Sequence, residues 1–113
     1  MEYILNESPS DAGLAAAVVA HPHPLYRGTM HTRIVFHTAK TLAELGMPVL
    51  RFHFRGVGLS QGVYDHGRGE MDDLRAAMAH MRGLYPRPLL LAGFSFGAST
   101  VAKLLAAEAR EDV

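Results

Sequence analysis

The chemistry this chain could perform is concentrated in three short stretches. In the first, Gly93-Phe94-Ser95-Phe96-Gly97, a serine sits between two glycines in the pattern G-x-S-x-G. An apolar run, Leu89–Phe94, leads into it, and an amphipathic stretch, Ala98–Arg110, leads out. A serine on a tight strand-to-helix turn is lifted above the sheet in a strained backbone conformation. Side chains two residues before and after it would collide, which glycine at positions 93 and 97 avoids. The next helix aims its N-terminus at the reacting oxygen, so the backbone N–H of Phe96 can stabilise an oxyanion. Ser95 is therefore the expected nucleophile. A Gly-Ser-Gly turn without chemistry would not need those flanks.

The second stretch, His21-Pro22-His23-Pro24-Leu25-Tyr26-Arg27-Gly28, follows the first strong apolar run. It is the expected source of a second oxyanion donor. Pro22 and Pro24 have no N–H, which leaves the amides of His23 and then Leu25. His23 is preferred because it is the nearer of the two to the strand end. His21 and His23 could also share a face as a pair of metal ligands. Nothing nearby completes a recognisable shell, cysteine is absent and the other five histidines are scattered, so neither a metal nor any other cofactor is expected.

The third stretch, Arg51 to Gly62, is glycine-rich. A dinucleotide fingerprint needs G-x-G-x-x-G opening a helix. Here Gln61 holds the last glycine position and no helix opens. Arg55 is read instead as the anchor of a tight turn that the glycines permit. Asp65-His66-Gly67 is read as loop capping before a helix near Met71.

These stretches need elements to position them. Leu14–Ala20, Pro48–Phe54 and Leu89–Phe94 read as short strands buried on both faces. Between them lie helical periods. From Met30, apolar residues recur at Ile34, Phe36, Ala39, Leu42 and Leu45, with Gly46 as the stop. From Met71 they recur at Leu74, Met78, Met81 and Tyr85, with Glu70, Asp72 and Asp73 in the acidic first turn. After Gly97 the stripe is Val101, Leu104 and Leu105. Glu2–Leu5 is read as an edge strand. The alternation predicts an α/β fold: three α/β/α layers around a mainly parallel sheet joined by right-handed crossovers.

Length bounds residues 1–113 to one domain at most, and the composition is globular. Apolar residues make up 49% and charged ones 19%, far from the disordered regime. Eleven basic and eleven acidic residues balance, and no basic run suggests nucleic acid or an anionic membrane surface as a partner. The longest apolar run is too short to cross a bilayer, and the first residues do not form a secretory signal. A cytoplasmic protein is the expectation.

Taken in order, these segments resemble a family of small bacterial α/β-hydrolase superfamily proteins. Its pattern runs as an HPHP-LYGGTM loop, an RFNFRGVG-S-G loop, an F/YDHGRGE segment and a GFSFG elbow. The corresponding stretches here are His21–Met30, Arg51–Gly62, Tyr64–Glu70 and Gly93–Gly97. Arg27 stands where the pattern has glycine, and would narrow the site entrance. His53 stands where it has asparagine. The resemblance implies a hydrolase fold with a serine nucleophile and implies little about the substrate; a small-molecule acyl substrate is what a serine nucleophile with an oxyanion site would act on.

In that fold the acid follows the serine and the histidine comes last. The eighteen residues after Ser95 contain Glu108, Glu111 and Asp112 but no histidine. The acids fall at the far end of the helix that leaves the elbow. The chain is accordingly read as the nucleophile half of a hydrolase domain. Ser95 is the nucleophile, Phe96 and His23 are the oxyanion donors, and Gly93 and Gly97 are the elbow glycines. The alternative reading is a non-catalytic fragment or interaction module. The strand leading to Ser95 would lie at a sheet edge, where self-association is expected.

Overall fold

The computed structural model describes residues 1–8, 11 and 13–108. Four strands form one sheet: β1 (Tyr3–Asn6), β2 (Ala16–Ala20), β3 (Val49–Phe52) and β4 (Leu89–Gly93), in the order β1-β3-β2-β4. β2 runs parallel to both β3 and β4, while β1 is antiparallel to β3. Helices α1 (Arg33–Glu44), α2 (Arg68–Leu84) and α3 (Phe96–Ala107) cover the sheet.

The layering follows from β2. Ala16, Val18 and Ala20 face one core with Leu74 and Met78 of α2 and Leu104 of α3. Ala17 and Val19 face the other, with Val35 and Ala39 of α1. A strand covered on both sides has no polar face to alternate with, so it reads as an unbroken apolar run. The expected three-layer α/β/α arrangement is therefore present, and the edge strand is there too, one residue later than its sequence bounds.

Helix α1 departs from expectation in its start and its face. It begins at Arg33 rather than Met30, because residues 29–32 close a polar turn: Thr29 N–H donates to Thr32 Oγ1 and His31 N–H to Thr29 Oγ1. The helix buries Val35, Ala39 and Ala43 and leaves Ile34, Phe36 and Leu45 exposed. Small residues let the helix lie close to the sheet. The Phe36 ring is used from the outside, with the Arg51 guanidinium 5.3 Å from its centroid. Gly46 ends the helix at φ 99°, as a left-handed stop should. Helix α2 buries Leu74, Met78 and Met81 as expected. In α3, Leu104 is buried, while Leu105 is exposed rather than part of the stripe. No helix among the described residues is long and apolar enough to cross a membrane.

The topology sets where a ligand can sit. The chain leaves β2 toward α1 on one face and leaves the neighbouring β4 toward α3 on the other. Connections that part in opposite directions open a crevice at the carboxyl ends of the two strands. The 21–28 loop and the Gly93–Gly97 turn both begin there.

Candidate active site

Ser95 lies between β4 and α3 with φ 55° and ψ −111°, and it is exposed. Positive φ is a strained state for a residue with a Cβ. The surroundings hold it there. Phe94 N–H donates to the Ala20 carbonyl, extending the β2–β4 ladder one step past the strand. Gly97 N–H returns to the Phe94 carbonyl at 2.9 Å and Ser99 N–H to the Ser95 carbonyl at 3.0 Å. Both glycines are required by space. A Cβ on Gly93 would lie 2.6 Å from the backbone of Gly97 and Ala98, and one on Gly97 would lie 2.3 Å from the Ala20 carbonyl oxygen. Phe96 is the first residue of α3, so its N–H has no acceptor within the helix and faces the end where anions are favoured.

The 21–28 loop lies beside this turn and its two histidines have different fates. His21 is fully buried. Its Nε2 accepts from Phe54 N–H at 3.0 Å, so Nδ1 carries the hydrogen and donates it to the Pro22 carbonyl at 2.6 Å. Burial pushes its pKa down to about 4 despite that carbonyl. His21 is therefore a neutral strut between two loops, with no lone pair left for a metal or a serine proton. His23 caps a short 3-10 turn, Pro24–Tyr26, and its Nδ1 accepts from Leu25 N–H at 3.1 Å. Of the two amides expected as oxyanion donors, that of Leu25 is thus engaged by the His23 ring. Gly28 closes the loop: its N–H donates to the His23 carbonyl, and a Cβ there would lie 2.1 Å from the Pro22 carbonyl oxygen. Arg27 is exposed at φ 65°, a left-handed position that suits the glycine of the resembled pattern better than arginine.

The glycine-rich loop is tied down at both ends. Arg55 grips Asp73 of α2 with two guanidinium hydrogen bonds at 3.1 and 3.0 Å, and its backbone N–H meets the same carboxylate. A Cβ on Gly69 would strike this guanidinium. On the other side, Glu2 takes Leu59 N–H at 2.7 Å and lies 3.4 Å from His53 Nε2. Burial lowers the His53 pKa, opposed by the Glu2 carboxylate. The Asp65-His66-Gly67 segment does cap α2: Asp65 accepts from Gly69 N–H, and buried Glu70 accepts from Asp65 and Gly67 N–H.

Sequence reasoning passed over Tyr64 as a site residue. Its ring packs against Phe96, with centroids 5.7 Å apart, and against His23 at 5.0 Å, and its hydroxyl is 3.1 Å from His23 Nε2. No spacing rule could have found it, since only the fold brings residues 23, 64 and 96 together. Of the acids after Ser95, Glu108 ion-pairs with Arg75 of α2, while Glu111 and Asp112 lie outside the described residues. Among the described residues no cluster of His, Asp and Glu could hold a metal ion. Two surface clefts, one along Ile34, Thr38 and Leu42 and one beside Asn6, Lys40 and Arg51, lie away from Ser95.

Comparison with known proteins points the same way. Residues 16–113 match the model of a family described as "Serine aminopeptidase, S33". An uncharacterised protein of Rickettsia prowazekii (strain Madrid E) is 48% identical over 84 residues, which are 73% of this chain and 35% of that protein. An α/β serine hydrolase homologue from Coxiella burnetii superposes with a TM-score of 0.87 at 39% identity, covering 95% of this chain and 52% of that one. A Xanthomonas campestris α/β serine hydrolase without a lid gives 0.86 at 44% identity, covering 93% and 50%. The chain thus spans about a third of that curated relative and about half of these solved structures.

Proposed function

Because the chain belongs to the serine aminopeptidase family of α/β serine hydrolases, we propose that it supplies the nucleophile half of an acyl hydrolase with Ser95 as nucleophile. The substrate is an ester, thioester or amide of a small molecule. The Ser95 oxygen bonds to the acyl carbon while its proton passes to a histidine base. The carbonyl electrons move onto oxygen, where the amides of Phe96 and His23 receive the charge. Collapse expels the leaving group, which takes the proton from that histidine. Water then releases the acid by the same steps in reverse order. The base and its carboxylate partner come from the half of the fold that lies beyond these four strands. The observation that carries this reading is the exposed Ser95 at φ 55° on the turn between β4 and α3.

The alternative, a non-catalytic fragment or interaction module, draws on a different observation. Both ring nitrogens of His21 and of His23 already have hydrogen-bond partners, so neither offers Ser95 a base. A fluorophosphonate probe separates the two. In the protein with its complete hydrolase domain, the probe labels Ser95 and Ser95→Ala abolishes labelling. Equal labelling of both proteins would remove Ser95 as the nucleophile.

A further inference from the structure

The His23–Tyr64 contact has a direction that follows from the opposite side of the imidazole. His23 Nδ1 accepts from Leu25 N–H, so in the neutral ring it carries no hydrogen. The hydrogen must then be on Nε2, which donates it to the Tyr64 hydroxyl 3.1 Å away. Tyr64 is the acceptor in this pair, and its own O–H hydrogen is not used on His23. His23 is its only hydrogen-bond partner among the described residues. The ring that carries this hydroxyl is half-buried against Phe96, the residue next to Ser95. Its position is fixed from three sides, by the rings of His23, His66 and Phe96. A hydroxyl accepting a hydrogen bond is also a stronger donor in turn.

Resting on the reading of Ser95 as nucleophile, we infer that Tyr64 is a substrate-contacting residue that selects among acyl groups: its hydroxyl donates a hydrogen bond to an ether, hydroxyl or carbonyl oxygen on the acyl chain of the ester bound over Ser95. The favoured substrate class is oxygen-bearing acyl esters over plain alkanoyl esters of equal length. A donor left without its acceptor discriminates strongly against the hydrocarbon analogue, because a polar group in the site then goes unpaired.

The test uses two isosteric esters, p-nitrophenyl methoxyacetate and p-nitrophenyl butyrate, which differ by an oxygen in place of a methylene. With the protein in its complete hydrolase domain, kcat/KM is measured for both on wild type and on Tyr64→Phe, which keeps the ring contacts. Intrinsic reactivity cancels in the comparison of the two proteins. The methoxyacetate-to-butyrate ratio is expected to fall about tenfold in Tyr64→Phe, the effect of one hydrogen bond. An unchanged ratio overturns the inference, whether both esters slow equally or neither does, while Ser95 labelling stays intact. Turnover of both esters that survives Ser95→Ala overturns the nucleophile reading instead, and the Tyr64 inference with it.

Discussion

At the scale of single residues, His21 shows how a side chain that looks reactive can be structural. Read from the sequence, it was a candidate metal ligand that found no partners to complete a shell; in the fold, Phe54 N–H arrives from just past β3 and the ring is sealed in. Its burial has a consequence for stability. The ring titrates at about 6.5 when unfolded and near 4 when folded. Between those values the unfolded chain binds more protons, so stability falls as pH drops through 6.5 toward 4 and is indifferent to this group above 6.5. The loss amounts to about 2 kcal/mol by pH 5. The buried His53 ring, also lowered, acts in the same sense. Thermal melts of wild type should fall steadily from pH 7 to pH 5, and His21→Asn should melt lower at pH 7 with a shallower slope. A slope unchanged by that substitution would show that His21 is not the group responsible.

At the scale of elements, the elbow is a packing problem between α3 and β2 as much as a turn. A Cβ on Gly97 would fall on the Ala20 and His21 carbonyls, backbone at the buried end of β2 and just past it that cannot give way. A Cβ on Gly69 would first strike the Arg55 guanidinium, which can swing aside at the expense of its Asp73 contacts. Gly97→Ala should therefore lower the unfolding free energy measured by urea titration by the upper part of the ~1–3 kcal/mol typical of overpacking. Gly69→Ala should cost about 1 kcal/mol, the scale of a partly exposed ion pair. The reverse order would contradict this account. The same elements explain what a linear reading can recover. The three parallel strands were legible because burial on both faces leaves an apolar run. The elbow was legible because its two glycines answer a local steric demand. The face of α1 was legible only in part: Ala39 and Leu42 of the expected stripe do pack toward the sheet, but Val35 and Ala43 share that face unannounced, while the larger Ile34, Phe36 and Leu45 are exposed. Tyr64 was not legible, since its partners His23 and Phe96 come from the 21–28 loop and the start of α3.

At the scale of the whole molecule, β4 is the last strand of the sheet among the described residues, with Leu90 42% exposed on it. An apolar edge with an unpaired ladder recruits another strand. Residues 1–113 expressed alone should show a molar mass by light scattering that rises with concentration, and Leu90→Lys should suppress the rise. A wild-type chain that stays monomeric throughout would count against an adhesive edge. The strand order carries one more consequence, in time rather than space. β2 meets β3 after a short crossover, Ala17 beside Val49, but its other neighbour brings Leu89 to Ala16, 73 positions further along the chain. Closing the longer loop costs more chain entropy and is slow unless α2 has already docked. The β2–α1–β3 unit can therefore assemble first, with β4 zipping on afterwards. Since Ser95 takes its strained geometry only when Phe94 has bonded to Ala20 and Gly97 has seated on that carbonyl, the nucleophile exists only once β4 has joined β2, and a chain in which that strand has not paired has no elbow to react.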